Sequence, residues 1–185
     1  MIADIPLRNP RVCAGGHQTD PGDTMPESFV AGLTEQARHK SIALLNENLA
    51  DTIALTLAVK QAHWTVKGTG FIGFHELLDD VADRLRDAVD TMAERIVILG
   101  GFPKGTAEAT VEGSRLDPYP TELEPLPTHV EELTSRFFKV GESLRAAIKA
   151  AGDAGDDDTE DLFTEISRRI DKDAWFIGAH TASID

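Results

Sequence analysis

All nine prolines of this 185-residue chain fall in two zones, residues 6–26 and 103–127. Proline lacks a backbone N–H and its ring clashes with the preceding turn, so helix interiors exclude it. The long proline-free spans are therefore the helix candidates. The first runs from Thr34 to Val66, with Ile42, Leu45, Leu49, Ile53 and Leu57 at helical spacing and Gly68 just past its end. The second runs from Gly73 to Leu99 and is closed by Gly100 and Gly101. The third is expected to start at Thr128, where Thr128-x-x-Glu131 spells a capping box. It carries Leu133, Phe137, Val140, Leu144, Ala147 and Ala151 on one stripe and stops at GDAG. Asp158 or Thr159 is expected to cap the fourth, which carries Phe163, Ile166, Ile170, Ala174 and Ile177. The second proline zone becomes a long connection with one short helix around Thr106–Glu112. No strand pattern and no internal repeat is visible. Residues 1–33, with GG, DPGD and MPES, read as a flexible tail, and 34–182 as the folded domain.

The expected fold is all-α, a four-helix bundle. A short link between the second and third helices would make them antiparallel. The long connection lets them run parallel, which gives an up-down-down-up layout.

The second helix carries the most telling polar pattern. At about 100° per residue, Asp79, Asp90 and Glu94 lie near 40°, 60° and 100° from His75. Leu78, Val81, Leu85, Val89, Met92, Ile96 and Leu99 lie at roughly 240–320° and form the core stripe. The polar stripe thus faces water or another subunit. Its two i,i+4 pairs are far apart, because the eleven residues from Asp79 to Asp90 span about 16 Å. One ion cannot reach both. A second copy packed antiparallel about a two-fold near Leu85 would bring each His75/Asp79 pair to the other copy's Asp90/Glu94. Charged stripes are otherwise usually solvated faces.

His63 adds to this set. It sits in the last turn of the first helix, one short loop before the second, and can reach His75 and Asp79. Alone it would read as a helix C-terminal cap. Two imidazoles with several carboxylates suit Fe(II), Mn(II) or Zn(II) better than copper, and the cysteines of a structural zinc site are missing. None of the six histidines has a glutamate three residues before it. That argues against a Glu-x-x-His di-iron centre inside the bundle.

Bulk properties narrow the function class. The net charge of −14 opposes binding to a phosphate backbone unless basic residues are segregated. They are not: the first 33 residues hold Arg8 and Arg11 against Asp4, Asp20, Asp23 and Glu27. No apolar run is read as a membrane span, and MIADIPLRNPRVCAGG has no apolar secretory region. Cys13 is the only cysteine, so no internal disulfide forms and a reducing cytoplasm is expected. Cys13 itself reads as an unimportant tail residue.

Three stretches carry a family resemblance: AHWTVKGTGFIGFHELLDD, DTMAERIVILGG and DDDTEDLFTEISRRIDKDAWFIGAH. With them the chain resembles the Dps family, the mini-ferritins, over about 150 residues. The resemblance implies a ferritin-like bundle assembled as a hollow dodecamer. It implies Fe(II) oxidation, preferentially by hydrogen peroxide, at sites shared by two-fold-related subunits, with ferric mineral stored inside. His63, His75 and Asp79 would come from one subunit and Asp90 and Glu94 from its partner. Trp64 resembles the family tryptophan that shields the site and absorbs stray oxidising equivalents; a plain core aromatic is the alternative. Glu131 and Glu132 are pore candidates, although a helix start attracts carboxylates anyway. Many members bind DNA, usually through a flexible Lys/Arg-rich tail, and the alternative reading of this chain is a DNA-binding, nucleoid-compacting stress protein whose iron chemistry is secondary. This acidic tail departs from that pattern, so weak or no DNA binding is expected near neutral pH; the expected location is the cytoplasm, with nucleoid association as the alternative.

Overall fold

The computed structural model describes residues 26–180 and is all-helical. Cys13 and most of the tail lie outside the described residues. Four long helices, α1 (Glu35–Thr65), α2 (Phe71–Ile98), α4 (Leu126–Ala154) and α5 (Asp157–Gly178), surround one core; α3 (Ala107–Gly113) is the short helix of the long connection. α1 packs on α2 and α4 on α5, with α1 also against α4 and α2 against α5.

The direction of α4 is fixed where α1 ends. Lys67 N–H donates to the Glu124 carbonyl at 2.7 Å, and Leu126 N–H donates to the Lys67 carbonyl at 3.0 Å. α4 therefore begins where α2 begins, and the two run the same way. At the opposite end, Arg95 of α2 pairs with Asp156 just before α5 at 2.7 Å. The layout is the expected up-down-down-up, a ferritin-like arrangement.

The core follows the helical periodicity closely. Leu78, Val81, Leu85, Met92 and Ile96 of α2 and Leu99 just past its end are buried, Val89 is half-buried, and all the stripe residues named for the third and fourth helices are buried. Burying such side chains contributes roughly 1.5–3 kcal/mol each before conformational entropy is subtracted. The α1 stripe needs correction. Leu45 and Leu49 are buried, but Leu57 is 62% exposed, and the inner face continues through Leu55, Ala58, Val59 and Ala62. By length and composition alone α1 could cross a membrane, contrary to the sequence reading; here most of that apolar window is buried in the bundle.

Two helix starts also differ from expectation. α4 begins at Leu126, and no side chain caps it. Pro127 therefore sits in the first turn, where its missing N–H costs no intrahelical bond. Thr128 is already helical and the capping box does not form. α5 is capped by Asp156, whose carboxylate accepts from Thr159 N–H at 3.2 Å. α4 also runs through the GDAG glycine to Gly155, which closes it at φ +81°.

Residues 26–33 dock on the end of α2. Phe29 N–H donates to the Ile98 carbonyl at 2.9 Å, and Val30 and Leu33 pack against the core.

Candidate metal centre

Gly68 (φ +128°) and Gly70 (φ +82°) make the turn between α1 and α2. Both lie in the left-handed region that a Cβ disfavours. The tight turn brings the last turn of α1 beside the first turn of α2, and there His63 and His75 stack. Their ring centroids are 3.7 Å apart and the planes differ by 18°.

Each imidazole is tied to the other residue's backbone. His63 Nδ1 lies 2.9 Å from the His75 carbonyl, and His75 Nδ1 lies 2.8 Å from the His63 carbonyl. A carbonyl only accepts, so each Nδ1 donates, which leaves Nε2 as the free ligating position on both rings. His63 does not cap its own helix. Such outer hydrogen bonds orient metal-ligating histidines and fix their tautomer. His63 is buried and His75 half-buried.

Asp79 lies one turn further along α2. Its Oδ1 is 3.6 Å from His63 Nε2. It also accepts a hydrogen bond from Lys60 Nζ of α1. That bond, with the positive field of Lys60, holds the Asp79 carboxyl below the usual range, although Asp79 is exposed. Lys60 had no place in the sequence reading. The available signal was its position: one turn before His63 and i,i+4 from Trp64. Lys60 Nζ lies 5.8 Å from the Trp64 ring centroid. Trp64 is 68% exposed, so it is no core aromatic of this chain.

Asp90 and Glu94 are exposed on the same helix, about three and four turns from Asp79. Among the described residues, no three His, Cys, Asp or Glu side chains gather at one point of the chain. The five candidate ligands thus form two separate groups, not one pocket. Apolar side chains flank the second group. Ile53, Leu57, Val89 and Ala93 line a shallow groove with Thr56, Arg86 and Asp90. Of these, Leu57 is exposed and Ile53, Val89 and Ala93 are half-buried.

At the start of α4, Glu132 is held by Arg136, which also donates to the Glu132 carbonyl at 2.9 Å. Beside it, His129 is fully buried. Its Nδ1 accepts from the Tyr119 hydroxyl at 2.7 Å, and its Nε2 lies 3.4 Å from Thr65 Oγ1. Burial lowers the His129 pKa and raises that of Tyr119, which fits a phenol donating to a neutral imidazole.

Comparison with known proteins agrees with the fold. Residues 42–185 match the ferritin-like domain family. A DNA protection during starvation protein from Agrobacterium fabrum is 43% identical over 148 residues, covering 80% of this chain and 91% of the relative. The solved Mycobacterium smegmatis Dps superposes with a TM-score of 0.82 at 32% identity, covering 86% of this chain and 96% of the other. DpsC from Streptomyces coelicolor superposes with a TM-score of 0.83 at 30% identity, covering 87% and 94%. The fold, the direction of α4 and these similarities together establish that the chain belongs to the Dps family of ferritin-like proteins.

Proposed function

We propose that this protein oxidises Fe(II) with hydrogen peroxide, or with oxygen, at centres shared by two-fold-related subunits, and stores the ferric product inside a hollow dodecamer. His63, His75 and Asp79 of one subunit and Asp90 and Glu94 of its partner would hold the iron. The observation that carries this reading is the reciprocal hydrogen bonding of His63 and His75. It aims two Nε2 atoms away from the backbone beside a carboxylate, at an end of the bundle where the described residues gather no group of three His, Cys, Asp or Glu side chains. Mn(II) or Zn(II) would fit the same nitrogen and oxygen donors.

The chemistry follows from the donor set. Two imidazoles and a few carboxylates leave coordination positions open for water and peroxide. Two Fe(II) and one H2O2 with two protons give two Fe(III) and two H2O. Delivering both electrons together avoids the one-electron cleavage that releases hydroxyl radical. Trp64, exposed one residue from His63, is placed to give up an electron to any oxidant that escapes. The acidic chain supplies carboxylates for cation attraction and mineral nucleation.

The curated relatives are named for DNA protection. For this chain we assign the protection to iron and peroxide consumption, not to DNA contact. The net charge of −14 and the acidic balance of residues 1–33 favour that assignment. At low salt and neutral pH the assembled protein should leave duplex DNA unshifted in a gel; strong retention would instead support a nucleoid-compacting role.

Peroxide-driven Fe(II) oxidation, followed as ferric absorbance, tests the main reading. Replacing His63 and His75 by Gly should slow it at least about tenfold, in line with the loss of metal ligands and their orienting bonds. Unchanged rates would reject the ligand assignment.

A further inference from the structure

The long connection before α4 is tied to the bundle at several points, and one tie differs in kind from the rest. Gln61 of α1 donates to the Thr121 carbonyl at 3.1 Å. Arg136 of α4 donates to the Asp117 and Pro118 carbonyls at 3.2 and 3.1 Å, and its guanidinium lies 4.8 Å from the centre of the Tyr119 ring. Lys139 pairs with Asp117 at 2.8 Å, and Lys67 with Glu124 at 2.6 Å. Lysine, arginine and carboxylate side chains keep their charge between about pH 7 and 5.5. The tie from the Tyr119 hydroxyl to His129 Nδ1, at 2.7 Å, ends on an imidazole, which titrates in that window. We propose that residues 114–124 form an acid-released strap: neutral His129 latches it, and protonation of His129 frees it while the helices stay folded.

The geometry of the latch sets its direction. Nδ1 accepts the phenol proton, so the neutral ring carries its own proton on Nε2. Nε2 lies 3.4 Å from Thr65 Oγ1 at the end of α1, and the Leu123 carbonyl is a further hydrogen-bond partner of the ring. One imidazole of α4 therefore joins two points of the strap to the end of α1. A proton added at Nδ1 removes the acceptor and sets N–H against O–H. It also places a charge on a fully buried ring.

The surroundings offer that charge no partner. α1 presents the neutral Thr65 hydroxyl and, just past its end, the ammonium of Lys67. The strap presents Tyr119 and Glu124, and Glu124 is already paired with Lys67. α4 presents Glu132 and Arg136, which pair with each other. Among the described residues, no carboxylate is hydrogen-bonded to the His129 ring. A buried cation without a partner is costly, and opening the strap lets water reach it. Burial lowers the His129 pKa, so the open form, with an ordinary imidazole near 6.5, takes the proton first. The latch is full above about pH 6.5, and below it the open population grows by up to about tenfold per pH unit. Beneath the strap, Ala54, Leu57, Ala58, Leu116 and Tyr119 line a cleft of about 360 Å³, so release bares apolar surface of α1.

Hydrogen exchange of the full-length protein tests this, read by mass spectrometry and corrected for the intrinsic pH dependence of amide exchange. The reporters are the N–H groups of Lys67 and Leu126, which bridge the end of α1 and the connection. Peptides of the buried α2 stripe are the reference. In wild type the reporters should open more readily than the reference and with little dependence on low urea, as a local opening does. Their protection should fall about fivefold or more from pH 7 to 5.5. His129→Gln should keep the protection seen at pH 7, because the amide oxygen can accept from Tyr119, and should lose the pH dependence. Reporters that open only together with the α2 reference, or a pH dependence that survives in His129→Gln, would overturn the inference. If His129→Gln does not fold, Tyr119→Phe decides: weaker reporter protection at pH 7 supports the latch, and unchanged protection rejects it.

Discussion

At the scale of single residues, hydrogen-bond direction does most of the work. A histidine can face a metal with either nitrogen, and the sequence says nothing about which. Here each Nδ1 is committed to the other histidine's carbonyl, so Nε2 is the open atom on both. The spacing of His63, His75 and Asp79 was legible because ligand residues repeat at helical and short-loop intervals. Lys60 was not, since lysine is not a metal ligand and its pairing crosses from α1 to α2. The buried His129 was not read either, because a lone histidine in an apolar helix start carries no sequence signal. It has a measurable consequence. Burial lowers its folded-state pKa, whereas in the unfolded chain it titrates near 6.5. The unfolded state therefore takes up the proton first. The stability contributed by the neutral imidazole is full above about pH 6.5 and drains as pH falls through that value. Urea unfolding should show a steeper loss between pH 7 and 5 in wild type than in His129→Gln. Parallel pH dependences would show that His129 is not the buried neutral group described.

At the scale of elements, α2 is the organising unit. One of its faces builds the core and another carries Asp79, Asp90 and Glu94 outward. That division was readable from the wheel because the two stripes differ in polarity as well as angle. Helix ends were less readable. Asp156, Asp157 and Asp158 are chemically alike as caps, and only packing selects Asp156. The selection comes from Arg95, whose guanidinium donates to Asp156 at 2.7 Å and to Thr159 Oγ1 at 3.0 Å. Both charges are buried, at 9% and 1% exposure. Removing one partner leaves the other charged and dry. Asp156→Ala should therefore cost about 3–5 kcal/mol, measured as denaturant unfolding free energy, and Asp156→Asn less, because the amide oxygen keeps the cap. A loss below about 1 kcal/mol for Asp156→Ala would place this pair with ordinary surface ion pairs. At the α4 start, the rule that proline avoids helices misled, since Pro127 lies in the one turn that tolerates it.

At the scale of the whole molecule, the described helices bury one core while the candidate ligands stay in two separate groups. The bundle closes a core of its own, yet among the described residues Asp90 and Glu94 gather no histidine into a ligand cluster, and His63 and His75 stand beside Asp79 and Lys60. Leu57, exposed next to the groove that Asp90 lines, gives that end an apolar border. An isologous two-fold contact would join unlike halves twice over. The central claim is that each centre takes its histidines from one subunit and Asp90 and Glu94 from the other. Co-expression of two inactive chains tests it most directly: His63→Gly/His75→Gly, which keeps the carboxylates, and Asp90→Asn/Glu94→Gln, which keeps the histidines. In a mixed pair, one centre loses both histidines, Asp90 and Glu94 and keeps only Asp79, and the other regains all five ligands. With random pairing at equal expression, half the pairs are mixed, so peroxide-driven Fe(II) oxidation per chain should recover to about a quarter of wild type. Mixed assemblies as inactive as the two parent variants would contradict the shared centre.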